Sequence, residues 1–261
     1  MGLLEGKTGL VVGIANDRSY AFHIAKGLTE QGARCAFTCL PGEKNKRRTA
    51  KAVEKLGIEN PWIEEMDAGD DAQIDAVADK YAEFSDKMDF LVHSIAFADR
   101  EWLQHGKFHQ TPRDSYLSAV NISAYTLLGF CRAFIGPLKA SGSASVLAMS
   151  YYGAEKVVPG YNVMGVAKSC LESTTRYLAA ELGEFGIRVN TISGGYLRTL
   201  ASSAVGGVDS IEDANKTRAP LRRNVEGQDV GNTAAYLCSH LAAGVTGENI
   251  YVDCGVNTIG V

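Results

Sequence analysis

Short apolar runs closed by glycine or a polar turn alternate with amphipathic stretches along the whole chain. This alternation narrows the possible folds more than any single residue does. Residues 8–13 (TGLVVG) read as a buried strand ending in glycine. Residues 19–31 follow with Ala21, Ile24, Ala25 and Leu28 at helical spacing, and Gly32 closes them. The same beat predicts strands at 33–40, 62–66, 88–94, 144–150, 187–193 and 248–252. Helices are predicted at 44–56, 71–84, 114–139, 161–182 and 228–238. Repeated strand–helix–strand units imply an α/β fold, a Rossmann-type doubly wound parallel sheet with helices on both faces. Nothing in composition marks a linker or repeat, so residues 1–261 read as a single dinucleotide-binding domain. The stretch 194–223 lacks a long apolar run. It follows the sixth strand, at the edge where ligands bind in such sheets, and reads as a loop that covers the substrate.

Bulk composition removes several function classes. A net charge of −4 argues against a general nucleic-acid binder, which needs a basic surface. No membrane span is expected: the apolar stretch 115–131 carries Ser, Asn and Thr and reads as a buried helix. The opening MGLLEGK has no basic segment followed by an apolar run, so it does not read as a signal peptide. Gly6 stands where N-myristoylation of Gly2 would want Ser or Thr. These readings point to the cytoplasm. Six cysteines are scattered without a C-x-x-C pair and read as buried free thiols. His105 and His109 have helical metal-ligand spacing, but Gly106 and Pro112 argue for a loop there, and no metal site is expected.

The first strand leads into Gly13-Ile14-Ala15-Asn16-Asp17-Arg18-Ser19-Tyr20-Ala21. Ala15 fills the second glycine place of the usual G-x-G-x-x-G turn. A residue that small still lets backbone N–H groups approach a pyrophosphate, with Ser19 capping the next helix. Alone this turn is a weak signal. The second strand ends at Leu40 with no acidic residue at its tip, and Lys44, Lys46, Arg47 and Arg48 follow. That basic cluster reads either as a 2′-phosphate contact or, preferred here, as the solvated face of a helix. NADH is the expected cofactor, with NADPH not excluded. Asp67, just after the third strand, is placed to reach an adenine, though a plain turn Asp fits nearly as well.

The chemistry concentrates in SYYGAEKVVPGYNVMGVAK, residues 150–168. Tyr161 and Lys168 are seven apart, two helical turns, so phenol and ammonium share a face. A phenol beside a fixed cation is a donor for an oxygen that gains negative charge. On this reading the ammonium also lowers the phenol's pKa. A second tyrosine, Tyr151, stands ten residues upstream of Tyr161.

With these motifs the chain resembles the bacterial enoyl-acyl-carrier-protein reductases of the short-chain dehydrogenase/reductase superfamily. The resemblance spans nearly the whole length. Its marks are LEGK, the long turn 13–21, HSIAFA (93–98), the 150–168 segment, Arg198-Thr199-Leu200 and VTGENIYVD (245–253). The wider superfamily has Y-x-x-x-K, which would need tyrosine at Met164. The enoyl reductases place it three residues earlier, at Tyr161. The resemblance implies a trans-2-enoyl thioester on acyl carrier protein as substrate, with Tyr151, Tyr161 and Lys168 catalytic. It implies Gly13, Ser19 and Tyr20 at the pyrophosphate, Leu40 near the adenosine, Asp67 and Ala68 at the adenine, and Ile95 along the cofactor. Lys168 would hold the nicotinamide ribose, Leu197, Arg198, Thr199, Leu200 and Ala201 would cover the nicotinamide end, and Ala98 would touch the acyl chain. A homotetramer is also implied. Three departures stand out: Tyr196 for a proline, expected to loosen its turn; Ala96 for a glycine, narrowing the substrate space; and Cys254 for a glycine. Asn121 is a weaker candidate for a proton relay. The bases Arg198, Lys216, Arg218, Arg222 and Arg223 are candidates for docking an acidic carrier protein. The competing readings are a carbonyl or alcohol dehydrogenase of the same superfamily and a non-catalytic dinucleotide sensor.

Overall fold

A computed structural model of the chain describes residues 2–199 and 216–260. Its strands are β1 (Thr8–Val12), β2 (Arg34–Cys39), β3 (Ile63–Glu65), β4 (Phe90–His93), β5 (Ser145–Ser150), β6 (Arg188–Gly194) and β7 (Asn249–Val252). They form one seven-stranded sheet in the order β3-β2-β1-β4-β5-β6-β7, and every neighbouring pair is parallel. The chain direction of winding reverses between β1 and β4, which opens a crevice beyond the strands' C-terminal ends. The expected doubly wound Rossmann-type sheet is therefore the one observed.

Each strand feeds both faces because successive side chains point to opposite sides. Leu10 and Val12 join one core cluster, while Val11 joins the other. The first face is covered by α3 (Asp71–Tyr81), α5 (Thr126–Ala133), α6 (Ile135–Ser141) and α7 (Asn162–Leu182). The second face is covered by α1 (Tyr20–Glu30), α2 (Glu43–Glu54) and a late helix, α8 (Gly227–Cys238). Burial on both faces explains why the strands read as continuous apolar runs.

The single helix expected at 114–139 is broken. α4 (Arg113–Val120) leads into a wide π turn, Asn121–Tyr125, and then α5. A 66° bend separates α5 from α6. Pro137 explains the break: it has no N–H to return to Ala133, and its ring would clash with that carbonyl in a continuous helix. Among the described residues no single helix is long and apolar enough to cross a membrane. All six cysteines are free, and all but Cys170 are buried. Burial pushes the thiols of Cys35, Cys131 and Cys238 up to about 12, which leaves them inert packing groups.

Candidate active site

The crevice holds a cavity of about 460 Å³ at the C-terminal edge of the sheet. One end is made of backbone. Gly13, the residue after β1, has φ +105°, and a Cβ there would lie 2.1 Å from the Ser94 carbonyl oxygen. Only glycine lets the exits of β1 and β4 run this close. Ser19 caps α1 as expected, accepting from the Phe22 N–H at 3.3 Å and donating to the Asn16 carbonyl at 2.7 Å. Thr49 of α2 pins the turn from behind, its hydroxyl donating to the Ile14 carbonyl at 2.9 Å. Nothing local in the sequence singles out Thr49. The Tyr20 hydroxyl donates to the Gly195 carbonyl and so ties the start of α1 to the chain leaving β6. The expected pyrophosphate contact of Tyr20 thus comes with a bracing bond that spacing does not reveal.

The opposite wall is made of side chains. Tyr161 stands immediately before α7, and Lys168 lies two turns on, 4% exposed. The Lys168 ammonium donates to the Met149 carbonyl at 2.7 Å, using one of its three donors at the end of β5. Burial lowers its pKa to about 8, against an opposing pull from Glu172. Glu172 in turn accepts from Ser150, a cavity residue, and from Asn249 at 3.2 Å. The Tyr161 and Tyr151 rings meet edge to face, 4.9 Å between centroids. Tyr161 also lies against Gly153, where a Cβ would come within 2.4 Å of its ring.

The expected lowering of the phenol's pKa is not what the packed site produces. Burial pushes Tyr161 upward, with Tyr151 and Glu172 adding to the rise, and Lys168 does not offset it. Desolvation of a would-be phenolate outweighs the neighbouring cation. Tyr161 is therefore a neutral O–H donor at physiological pH. Tyr151 is pushed up to about 12, first by burial and then by Tyr196. The Tyr196 ring is 8% exposed and its enclosed hydroxyl has no partner among the described residues.

The substrate side is held by residues that spacing did not flag. Ser123, in the π turn, donates to the Phe97 carbonyl at 3.1 Å and accepts its N–H at 3.0 Å, fixing the strand-four exit. The Thr126 hydroxyl donates to the Ile122 carbonyl and so accepts from His93 Nε2–H at 2.7 Å. Burial, with the Lys168 charge adding to it, drops His93 to about 3 and keeps it neutral. Asn162 donates to the Trp102 and Gln104 carbonyls, both at 2.7 Å.

Most of the expected site residues come together. Gly13, Ser19, Tyr20 and Ile95 line the cavity on the turn side, and Ala98, Tyr151, Tyr161 and Lys168 on the other; Leu197 and Thr199 close the β6 end. Ala96 lines it too, with its methyl exposed. Leu40, Asp67 and Ala68 lie outside this cavity, following β2 and β3 on the far side of Gly13. One Asp67 oxygen accepts the Gly69 N–H at 2.9 Å, the plain-turn role. Arg198 is exposed and outside the lining, and Asn121 is exposed on its helix. Leu200 and Ala201 lie outside the described residues, as does most of the stretch read as a covering loop. Lys44, Lys46, Arg47 and Arg48 are all exposed on α2, as a solvated face would be. Among the described residues no cluster of three His, Cys, Asp or Glu side chains gathers to hold a metal.

A parallel sheet with a glycine turn at its switch point and a buried tyrosine–lysine pair across the crevice defines a reductase of the short-chain dehydrogenase type. A family model described as Enoyl-(Acyl carrier protein) reductase matches residues 13–257, and the chain belongs to that family. It is 44% identical over 260 residues to enoyl-[acyl-carrier-protein] reductase [NADH] 1 of Rhizobium meliloti, covering 100% of this chain and 93% of that protein. It is 45% identical to the corresponding [NADH] reductase of Synechocystis, covering 99% of each. Among solved structures, the Bacillus cereus enoyl-acyl carrier protein reductase with NADP+ and indole naphthyridinone superposes at a TM-score of 0.96, 41% identity and full coverage of both chains. The Anaplasma phagocytophilum reductase in complex with NAD gives 0.93 at 43% identity, covering 100% of this chain and 97% of that one. The chain is an oxidoreductase of the enoyl-reductase type.

Proposed function

We propose that this chain reduces the trans-2 double bond of enoyl thioesters carried on acyl carrier protein, with NADH, in fatty acid elongation. The observation that carries the reading is the buried Lys168 and the neutral Tyr161 at two-turn spacing, facing a cavity that also carries the glycine turn. The residues fit a dinucleotide: the Gly13 cradle has room only while no Cβ fills it, the capped start of α1 lies beside it, and Lys168 keeps two donors for ribose hydroxyls. NADH supplies the hydride for the β-carbon of the enoyl thioester. Tyr161 meets the thioester oxygen as that oxygen gains negative charge, and its O–H stabilises charge developed in the transition state. A phenol kept protonated by burial is suited to this, since it donates rather than repels. Protonation at the α-carbon, through the phenol or a water chain, completes the reduction. Tyr151 packs on the Tyr161 ring and limits its rotation. Met164, 6% exposed, lies in the cavity where a ketone reductase of the superfamily would carry its tyrosine, which disfavours that reading.

The [NADH] names of the relatives support NADH over NADPH. Carrier-protein docking is proposed on the exposed Arg218 and Arg222. Arg223 is better explained by its two bonds to Asp229 at 2.6 and 3.0 Å, which brace the start of α8. Exposed Leu117, Tyr125, Leu128 and Tyr177 on α4, the π turn, α5 and α7 support burial in a homotetramer, and a cytoplasmic location accords with the proposed substrate.

The test is loss of NADH absorbance with a crotonyl thioester, repeated with NADPH and with a 3-keto thioester. Turnover of the keto compound alone would favour the ketone-reductase reading, and turnover of neither would favour a sensor. Reversing Arg218 and Arg222 to Glu should raise KM for the carrier-bound substrate but not for the coenzyme A thioester. Equal effects on both would rule out docking there.

A further inference from the structure

One side chain joins the tyrosine-bearing wall to the loop that bounds the acyl end of the cavity. Asn162 directly follows Tyr161 and has φ +43°, in the left-handed region that asparagine tolerates better than most non-glycine residues. Its amide uses both N–H groups, one on the Trp102 carbonyl and one on the Gln104 carbonyl, each at 2.7 Å. Those carbonyls flank Leu103, which lines the cavity, is 4% exposed and packs with Val163 and Met164 of α7. Tyr161 itself offers α7 no side-chain cap, so the Asn162 amide is a principal tether of that first turn. On its other side the Tyr161 ring is held by Tyr151 and by the absence of a side chain at Gly153.

We propose that Asn162 is a positioning residue: it aims the Tyr161 phenol and fixes the loop around Leu103 to the same helical turn. Acyl-chain fit and phenol aim are then set by one amide. This rests on the enoyl-reductase reading above. The left-handed turn at Asn162 aims its amide so that two half-buried carbonyls are satisfied.

Two variants test it. Asn162→Gly keeps the left-handed conformation and removes both donors. Asn162→Asp keeps the shape but sets an acceptor against two carbonyls. In both, kcat with a crotonyl thioester should fall about tenfold to a hundredfold while the Kd for NADH stays within about twofold. Single-turnover assays with enzyme in excess then repeat Asn162→Gly in a Tyr161→Phe background. There the further loss should shrink, because the hydroxyl being aimed is gone and only the Leu103 loop is left to disturb. An unchanged kcat in Asn162→Gly, a rise in KM alone, or an equal loss in both backgrounds would overturn the proposal. A wild-type protein inactive on enoyl thioesters would sink the enoyl reading instead. Hydrogen exchange at residues 161–164 reads the tether without turnover, and unchanged protection there in Asn162→Gly would overturn the inference on its own.

Discussion

The two ends of the cavity are built from different material. The turn after β1 is shaped by backbone: a left-handed glycine, a helix cap and a threonine pinning a carbonyl from behind. The wall across from it is shaped by side chains that follow β5 and that open and line α7: Tyr151, Tyr161 and Lys168, with Ser150 and Glu172 behind them. The first end tolerates changes of side-chain identity, as Ala15 shows, but no added Cβ at its tightest point. The second end depends on particular functional groups. Binding and chemistry can therefore be damaged separately.

The sharpest break of that contrast is Gly13→Ala. A Cβ against the Ser94 carbonyl at positive φ should cost roughly 3 kcal/mol of stability. NADH affinity should fall with it, and thermal unfolding with and without NADH measures both. A folded variant of unchanged affinity would show that the turn is not the cofactor cradle. Next is Tyr161→Phe, which should lower kcat about 100-fold with thermal stability nearly unchanged. A large loss of stability would instead make that phenol a structural group.

A third way to separate the two ends is pH. Lys168 titrates near 8 in the folded chain against an ordinary value of 10.5. The kcat/KM of the free enzyme should fall as pH rises through about 8 and the ammonium is lost. Glu172 raises the Lys168 pKa, so Glu172→Gln should move that fall to lower pH. Stability has the opposite sign: between about 8 and 10.5 the unfolded chain holds the proton that the folded chain has released, so this group's contribution to stability rises with pH. A pH–rate profile and parallel denaturant titrations check both signs. The smallest expected effect lies outside either wall. Cys254 sits at φ +59°, which explains why glycine suits that position. Cys254→Gly relieves backbone strain but removes a buried side chain and loosens the unfolded chain, so the net change in stability should stay within about 1 kcal/mol with activity intact, as calorimetry and the standard assay would show.

Much of this molecule was legible from residue order. Strand and helix alternation, the Gly13 turn, the Ser19 cap and the seven-residue Tyr161–Lys168 spacing are local patterns, and local patterns depend on neighbours a few residues away. The long helix at 114–139 was misread because apolar periodicity carries through Pro137, and the π turn before it leaves no mark on that periodicity. Other features were decided only in three dimensions. Thr49 reaches Ile14, Ser123 clasps Phe97, Asn162 spans to Trp102 and Gln104, and Tyr20 reaches Gly195. Each of these links joins residues that are far apart in the chain, and no periodicity encodes which distant carbonyl a hydroxyl or amide will find. The state of the Tyr161 phenol belongs with them. Residue types suggested a cation lowering its pKa, but only the packed surroundings revealed that the loss of water outweighs the charge nearby.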